Sequence, residues 1–360
     1  MPSIEQKGLL IVKVRKMSDW NVMELILTAE SPIHIGDRRM GVIELTKRYI
    51  PGKNFWGIFT AIITKELIRL FDKKYKASYY SSVGLCINDK FKFSYFYPYD
   101  KKKDTTFIPI FRGDGLEYLV LSGSEYHFIS EYEFDHNYID SYTSAALDYK
   151  SRTAKDHYLH ETEYIKPGIS FRGYIFYRNK PNFRLFDDKT NNINMTVVDI
   201  EQHIESWVNK IGLQGVGGKR TRGFGRVSVQ IKEREIDNNN LFGDLSDIII
   251  DENTGLKLQN WSITKEDDIK IIQTSSNKAI NLALMPITVG KDTIDLKDIK
   301  DFNGDINPIV GRVWANKLKE KWGAGQSFSN SKIAISPGST YRIDEDVNLT
   351  LVEDGIVELV

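Results

Sequence analysis

The stretch Gly215-Val-Gly-Gly-Lys-Arg-Thr-Arg-Gly-Phe-Gly-Arg-Val227 separates two segments with different periodicities. Before it, apolar residues recur at helical spacing, which predicts an amphipathic helix over 197–211. After it, alternation and β-branched residues predict a strand over 226–232. A glycine-rich loop over 212–225 therefore leads out of a helix and into a strand.

The segments upstream of this loop add further strands and one helix. Aliphatic content and alternation predict strands over 8–14, 22–29 and 169–178. Pro51-Gly52 interrupts the chain, and the apolar residues that follow lie at helical spacing to about residue 71. The resulting order, β-α-(β-rich insertion)-β-α-β, is compatible with a ferredoxin-like, RRM-type domain of the α+β class.

The length of 360 residues and a polar linker candidate predict two domains. A ferredoxin-like domain covers 1–235 and contains a β-rich insertion at about 72–150. A polar, acidic linker follows at 236–256, and a smaller β-rich domain covers 257–360. In the smaller domain we expect strands near 281–286 and 349–359 and a short helix near 313–321.

Charge is unevenly distributed along a chain that has no net charge. The 360 residues include 49 basic and 49 acidic side chains. Basic residues concentrate at 47–53, 101–103 and 219–226. A neutral protein with local basic patches fits a subunit that contacts nucleic acid on one face and other proteins elsewhere.

Cysteine content and hydropathy bear on the compartment. The single cysteine, Cys86, excludes an intrachain disulfide and a cysteine-based zinc site, which indicates a reducing, intracellular setting. The N-terminus lacks the apolar core and cleavage site of a signal peptide. No apolar run approaches the roughly 18–20 residues that span a membrane. We therefore expect a cytoplasmic protein that has no membrane partner.

The glycine-rich loop combines residue types that are suited to RNA. Gly215, Gly217 and Gly218 permit positive φ and let backbone amides approach a phosphate closely. Phe224 offers a flat face on which a base can stack. Charge for phosphates comes from Lys219, Arg220, Arg222 and Arg226. The same composition is also compatible with a flexible, solvated surface loop.

Four islands of the sequence carry a family resemblance. Gly217-Gly-Lys-Arg-Thr-Arg-Gly-Phe-Gly-Arg-Val227 looks like a C-terminal glycine-rich loop. Leu27-Thr-Ala-Glu-Ser-Pro-Ile-His-Ile-Gly36, followed by Arg48-Tyr-Ile-Pro-Gly52, is similar to a Ser-Pro strand end and an Ile-Pro-Gly turn into the first helix. The segment 152–168 resembles an Arg-Thr-Ala motif, and Ile335-Ser-Pro-Gly-Ser-Thr-Tyr341 is similar to a strand of a second domain. Together they resemble the RAMP superfamily, the repeat-associated CRISPR proteins.

Two departures favour one group within that family. Many backbone subunits carry Ser-Ser-Leu-Lys-Gly where this chain has Lys53-Asn-Phe-Trp-Gly57, and no Asp here matches the catalytic Asp of type III backbone subunits. The chain thus resembles the guide-capping subunits (the Cas five group) of type III-D or type VII complexes. The resemblance implies a non-catalytic subunit without cofactors that binds the 5′ handle of the CRISPR guide RNA. Implied partners are the guide RNA, the RAMP backbone subunits whose assembly it nucleates, and a target RNA nearby.

The predicted binding site is a groove along these islands. Lys47, Arg48 and Lys53 lie at the start of the first predicted helix, where orphan amides and the helix dipole favour phosphate. We expect them to line one continuous RNA groove with the 217–226 loop. The other expected members, which flank the groove or reach over the guide toward the next subunit, are Arg152, Lys155 and His157.

Two other functions stay open. His34, beside the Ser-Pro turn, could act as general acid or base in a metal-independent endoribonuclease that processes repeat RNA, or it could be a hydrogen-bonded histidine at a strand end. A backbone or 3′-end subunit of the same complex is the other alternative. His157 and His160 have acidic neighbours, but in an extended segment these side chains would not converge, so we expect no metal site.

Overall fold

The computed structural model describes residues 20–232, apart from short gaps such as 148–153, and separate stretches between 256 and 343. Outside the described residues lie the predicted strand 8–14, all but the last residue of the linker 236–256, the helix near 313–321 and the strand near 349–359. The helices are α1 Gly52–Leu70, α2 Ala77–Lys90, α3 Glu131–Tyr138, α4 Ile200–Asn209 and α5 Ile211–Gln214.

The strands fall into two groups along the chain. Those before residue 233 are β1 Trp20–Ala29, β2 Gly36–Met40, β3 Ile43–Thr46, β4 Phe91–Phe93, β5 Tyr97–Asp100, β6 Thr105–Arg112, β7 Gly115–Ser122, β8 Glu125–Ser130, β9 Ile139–Leu147, β10 Ala154–Ile165, β11 Ser170–Arg178, β12 Phe183–Phe186, β13 Ile193–Thr196 and β14 Val227–Lys232. Those beyond it are β15 Leu256–Leu258, β16 Asn260–Ile263, β17 Ile269–Ile272, β18 Ile280–Leu282, β19 Ile287–Val289, β20 Ile299–Asn303, β21 Ile306–Val310, β22 Ser331–Ile335 and β23 Thr340–Ile343.

Four strands and two helices form a ferredoxin-like unit. The main sheet has the strand order β14-β1-β11-β5 and continues through β6, β7 and β8. β1 is antiparallel to β11 and to β14, and β11 is antiparallel to β5. With α1 between β1 and β5, and α4 between β11 and β14, this is the βαββαβ arrangement of a ferredoxin-like domain. The predicted α+β, ferredoxin-like fold is confirmed.

The elements predicted around the loop occur close to their expected positions. The strands predicted over 22–29, 169–178 and 226–232 correspond to β1, β11 and β14, and the helix after Pro51-Gly52 corresponds to α1. The helix predicted over 197–211 is divided at Lys210 into α4 and the short α5. The glycine-rich loop itself contains a single 3-10 turn.

The range 72–150 contributes to the central sheet. β4 and β5 both pair with β11, so they occupy the second strand position of the ferredoxin-like order. Two helices, α2 and α3, also lie in this range, where the aromatic-rich sequence favours short strands. The buried residues Tyr79, Val83 and Ile87 recur every four positions in α2, and at α3 the Ser130 hydroxyl accepts the Glu133 N–H at 3.2 Å.

The main hydrophobic core lies between the main sheet and its covering helices. Phe59 of α1 is fully buried and lies 5.1 Å from the Phe93 ring of β4, and Trp207 of α4 meets Phe91 at 6.3 Å. Glu66 of α1 accepts hydrogen bonds from the Trp207 indole at 3.1 Å and from Lys210 at 2.6 Å. Aromatic burial and this polar contact hold α4, and therefore the loop that follows it, in a fixed position.

A second sheet provides the surface against which the loop folds. Its strand order is β2-β3-β10-β9, with β10 parallel to β3 and antiparallel to β9. Glu44 pairs with Thr162, and Thr162 pairs with Tyr142, so these side chains share one face with Tyr164, two residues further along β10. Lys219 of the loop contacts Glu44 and Thr162. We call the face formed by Glu44, Tyr142, Thr162 and Tyr164 the loop-facing face.

The predicted strand near 281–286 occurs as β18, and β19 follows it. The turn between β22 and β23 lies against the main sheet, where the Phe111 N–H donates to the Gly338 carbonyl at 2.8 Å. Gly338 has φ +90°, and a Cβ there would lie 3.2 Å from the Pro109 carbonyl oxygen. The segment Ile335–Tyr341, one of the four islands that carry the family resemblance, is therefore in close backbone contact with β6.

Candidate nucleic-acid interface

The glycine-rich loop is held by the backbone of the turn that follows β1. The Gly218 N–H donates to the His34 carbonyl at 2.8 Å, and the Gly225 N–H donates to the Pro32 carbonyl at 2.8 Å. The Arg226 N–H donates to the Ser31 hydroxyl at 2.9 Å. These contacts join two segments that are almost 200 residues apart in the chain, so the loop has a defined conformation rather than a flexible one.

Two glycines are required by close backbone contacts, one with the β1 turn and one within the loop. Gly217 has φ +83°, and a Cβ there would lie 2.5 Å from the His34 carbonyl oxygen. Gly225 has φ +85°, and a Cβ there would collide with the Val216 carbonyl oxygen. Contrary to the expectation that backbone amides of the loop approach a phosphate, those of Gly215, Gly218 and Gly225 donate inside the protein. The loop therefore presents side chains, more than backbone amides, to a ligand.

Lys219 fastens the loop to the loop-facing face. Its ammonium lies 2.5 Å from Glu44 Oε2 and 2.9 Å from the Thr162 hydroxyl, and its side chain is 17% exposed. The hydrogen bond from Lys219 lowers the pKa of Glu44, against the opposing effect of burial. Lys219 was predicted to contact RNA, but in this arrangement its charge is already neutralised by a carboxylate.

Three arginines of the loop are exposed to solvent: Arg220, Arg222 and Arg226. The Arg220 guanidinium donates to the Gln214 carbonyl at 3.1 Å, which directs this side chain along the loop. Within the described part of the chain, no carboxylate forms a salt bridge with any of the three. Their charges are therefore available to an anion from outside the protein.

Phe224 lies in a surface cluster with two tyrosines of the loop-facing face. Its ring centroid is 5.6 Å from that of Tyr142 on β9 and 6.0 Å from that of Tyr164 on β10. All three side chains are half-buried. Phe224 thus has the exposure that base stacking requires, and the two tyrosines add further ring surface beside it.

Arg48 has a structural environment. Its guanidinium forms two hydrogen bonds to Asp135 of α3, at 3.1 and 2.6 Å, and one to Glu163 of β10 at 3.1 Å. Only 17% of the side chain is exposed. Burial alone would lower the pKa of Arg48, but the hydrogen bond and the charges of Asp135 and Glu163 raise it. The Arg48 guanidinium therefore joins α3 to the second sheet, and this structural role conflicts with its predicted contact with RNA.

The remaining predicted site residues are only partly brought together. The Lys47 ammonium pairs with Asp37 at 2.9 Å. The backbone N–H of Lys47 donates to the Ile35 carbonyl, which lies next to the β1 turn that holds the loop. Lys53 is exposed in the first turn of α1. Arg152 lies outside the described residues, and for Lys155 and His157 only the backbone of β10 is described.

His34, the alternative catalytic residue, lies beneath the loop and is 7% exposed. Its Nδ1 is 2.8 Å from the Glu163 carbonyl oxygen, which can only accept, so Nδ1 carries the proton of this hydrogen bond. In the neutral ring Nε2 is then the unprotonated nitrogen, and it faces Gly36, where a Cβ would lie 3.8 Å away. The geometry orients the ring but leaves little of it in contact with solvent.

Sequence reasoning missed two sets of residues beside the loop. Arg38 and Arg39 are exposed on β2, and Arg39 donates to the His160 ring at 3.2 Å. Two consecutive arginines are visible in the sequence, so they could have been proposed as candidate phosphate contacts. Tyr142 and Tyr164 carried no such signal, because only the packing of the loop on the second sheet brings them to Phe224.

Two features are absent from the described part of the chain, a cluster of metal ligands and a membrane-spanning helix. Among the described residues, no three His, Cys, Asp or Glu side chains are grouped so that they could hold a metal ion. No helix in the described part of the chain is both long and apolar enough to cross a bilayer.

Known proteins resemble this chain in sequence family and in structure. No curated protein sequence matches the chain. A chain of the cryo-EM structure of type III-B Cmr-beta bound to cognate target RNA and AMPPnP is 14% identical, with a TM-score of 0.45, and the match covers 88% of this chain and 85% of that chain. A chain of Cmr-beta bound to cognate target RNA is 13% identical, with a TM-score of 0.42 and coverage of 88% and 86%. The model of the RAMP superfamily matches residues 26–228, which is more than half of the sequence. The chain therefore belongs to the RAMP superfamily.

Proposed function

We propose that this protein is a non-catalytic, RNA-binding subunit of a CRISPR ribonucleoprotein effector complex and that it holds guide RNA across the glycine-rich loop. The observation that carries the proposal is the set of exposed arginines, Arg220, Arg222 and Arg226, on a loop whose backbone is fixed to the β1 turn. Because the backbone is already ordered, RNA binding would require little further ordering of the loop. Guanidinium groups also match phosphate geometry.

A finer proposal concerns the place of the subunit in the complex. We propose that it binds the 5′ handle of the guide and nucleates assembly of the RAMP backbone subunits, with target RNA close by. Its support is the sequence resemblance to capping subunits, including Lys53-Asn-Phe-Trp-Gly57 and the Ile335–Tyr341 segment. The contact between Gly338 and Phe111 is consistent with it, because it joins that segment to the RAMP domain.

The absence of catalysis is also part of the proposal. His34 is a described side chain near the loop that is capable of acid–base chemistry, and it is nearly buried, with Nδ1 bonded to the Glu163 carbonyl. A general base must reach the 2′-hydroxyl that it deprotonates. The described position of His34 beneath the loop favours a role in holding the turn over the alternative of a repeat-processing endoribonuclease.

RNA binding by a combined Arg220→Ala, Arg222→Ala, Arg226→Ala variant tests the main proposal. For single-stranded RNA, each lost phosphate contact should reduce the slope of log affinity against log salt concentration by about 0.7. If three contacts are lost, the affinity ratio of wild type to variant should be on the order of 100-fold larger at 0.1 M salt than at 1 M. Arg69→Ala, an exposed arginine in the last turn of α1, is the matched control. Equal affinities of the triple variant and wild type, for guides with the 5′ handle, would contradict the proposal.

The finer proposal has its own measurement. Wild-type protein should bind a guide that carries the 5′ handle more tightly than a guide of equal length and charge in which the handle is scrambled. Equal binding of both, together with loss of binding in the triple variant, would keep the RNA-binding proposal and reject the 5′-handle assignment. A backbone or 3′-end position would then be the better assignment.

A further inference from the structure

The aromatic cluster beside the loop has a geometry that phosphate binding does not explain. Tyr142 lies on the edge strand β9 and Tyr164 on its neighbour β10, and both point to the loop-facing face. Their ring centroids are 6.3 Å apart, and Phe224 of the loop completes a triangle at 5.6 and 6.0 Å. The rings are tilted by 43°, 47° and 89°, so they do not close on one another as a flat stack.

These rings do not belong to the interior of the protein. None of the three rings is a member of the main hydrophobic core or one of the partly buried side chains packed against it. By contrast, the aromatic residues of the main core, such as Phe55 and Phe59, are fully buried. Aromatic side chains that remain half-exposed beside a basic loop have unused ring surface, which favours contact with another flat, apolar group.

Charged residues of both signs neighbour the cluster residues in the chain or in the sheet. Arg222 and Arg226 flank Phe224 at two positions on either side in the sequence, and both are exposed. Asp140 on β9 is the cross-strand neighbour of Tyr164, and burial together with that carboxylate raises the pKa of the Tyr164 phenol. The Asp140 carboxylate would repel a phosphate placed beside Tyr164.

We infer that Tyr142, Tyr164 and Phe224 form a stacking site for one unpaired base of the guide RNA, whose flanking phosphates are contacted by Arg222 and Arg226. The base must be unpaired, because a base inside an A-form duplex has no free face. This inference rests on the proposed function and adds a specific site to it. It also explains why an aromatic residue lies among the cations of the loop.

A fluorescent guide tests the inference with the wild-type protein. 2-Aminopurine, placed in turn at each position of the guide, should be quenched strongly at one position when the protein binds. Phe224→Leu, Tyr142→Leu and Tyr164→Leu keep apolar volume but remove the ring face. They should restore fluorescence at that position and weaken binding by roughly 5- to 150-fold, the range for one stacked base, with no change in salt dependence. Phe224→Trp should retain both quenching and affinity.

An abasic nucleotide at the quenched position removes the base itself, so its effect on the wild-type protein does not depend on how well a variant folds. It should weaken binding by wild type as much as Phe224→Leu does, and it should add no further loss in that variant. Absence of quenching at every position, or additive losses in the cycle, would show that the cluster serves only packing. If the inference fails in this way while the triple arginine variant still loses RNA, the proposed function stands. If the triple variant also binds normally, the proposed function fails as well.

Discussion

The strand-to-helix turn at 47–53 and the glycine-rich loop at 215–226 both concentrate positive charge, but their surroundings differ. In the turn, Arg48 is enclosed by the carboxylates of Asp135 and Glu163. In the loop, no described carboxylate pairs with the exposed arginines. A cation can serve an external phosphate only where the fold supplies no carboxylate to neutralise it, so charge density in a sequence does not identify the binding residues.

The paired cation of the turn should contribute to protein stability, whereas the unpaired cations of the loop should contribute to RNA binding. A mostly buried ion pair leaves an uncompensated charge when one partner is removed, and this destabilises the folded state. An exposed arginine without a partner contributes little to the free energy of unfolding. Substitutions in the two regions should therefore affect different measurements.

The largest expected effect is that of Arg48→Ala on stability. Removing this guanidinium leaves Asp135 and Glu163 unpaired, which should lower the free energy of unfolding by roughly 2–4 kcal/mol, a value reduced for partial exposure. Urea unfolding measures this, with Arg222→Ala as a control that should change stability by less than about 0.5 kcal/mol. A stable Arg48→Ala protein that has lost RNA affinity would instead assign the turn to the binding groove.

A smaller effect is expected from a matched pair of glycines in the loop. Gly217 and Gly223 both have positive φ, +83° and +88°, but a Cβ at Gly217 would lie 2.5 Å from the His34 carbonyl oxygen, whereas at Gly223 nothing lies within 4 Å. Gly217→Ala should therefore cost about 1–3 kcal/mol and weaken RNA binding by displacing the arginines, and Gly223→Ala about 1 kcal/mol. If Gly217→Ala and Gly223→Ala lose the same thermal stability and the same RNA affinity, the contact between Gly217 and the β1 turn is dispensable.

The ion pair between Lys219 and Glu44 should give the loop a measurable acid sensitivity. Because the folded pKa of Glu44 is lowered, the pair stabilises the protein above the unfolded carboxyl pKa of about 4.3 and this contribution is lost as the pH falls through the folded pKa. The difference in urea midpoint between wild type and Glu44→Gln should be present at pH 7 and should vanish at lower pH. A difference that is independent of pH would exclude this ion pair as its source.

The smallest expected effect concerns catalysis. Purified protein should leave repeat RNA intact with Mg²⁺ or with EDTA, because His34 lies beneath the loop with Nδ1 bonded to the Glu163 carbonyl. Gel analysis of labelled repeat RNA over several hours provides the measurement. Cleavage by wild type that His34→Ala abolishes, in protein that remains folded, would establish the endoribonuclease alternative.

Periodicity in the sequence was sufficient for the ferredoxin-like framework. The strands β1, β11 and β14 and the helices α1 and α4 each carry a local apolar pattern of the correct period, so they could be predicted without knowledge of their partners. Helices α2 and α3 were missed, since frequent tyrosine and phenylalanine in 72–150 suit a strand as well as a helix. The capping pair Ser130 and Glu133 was a local signal that could have identified α3.

By itself the sequence determined that a glycine-rich, arginine-rich loop joins a helix to the last strand of the RAMP domain. Only the tertiary structure decided which cations of the chain are available to a ligand. Asp135 and Glu163 lie 87 and 115 residues from Arg48, and Glu44 lies 175 residues from Lys219, so no local pattern reveals these pairs. Electrostatic neutralisation acts over a few ångströms in space, and the fold alone sets which residues are that close.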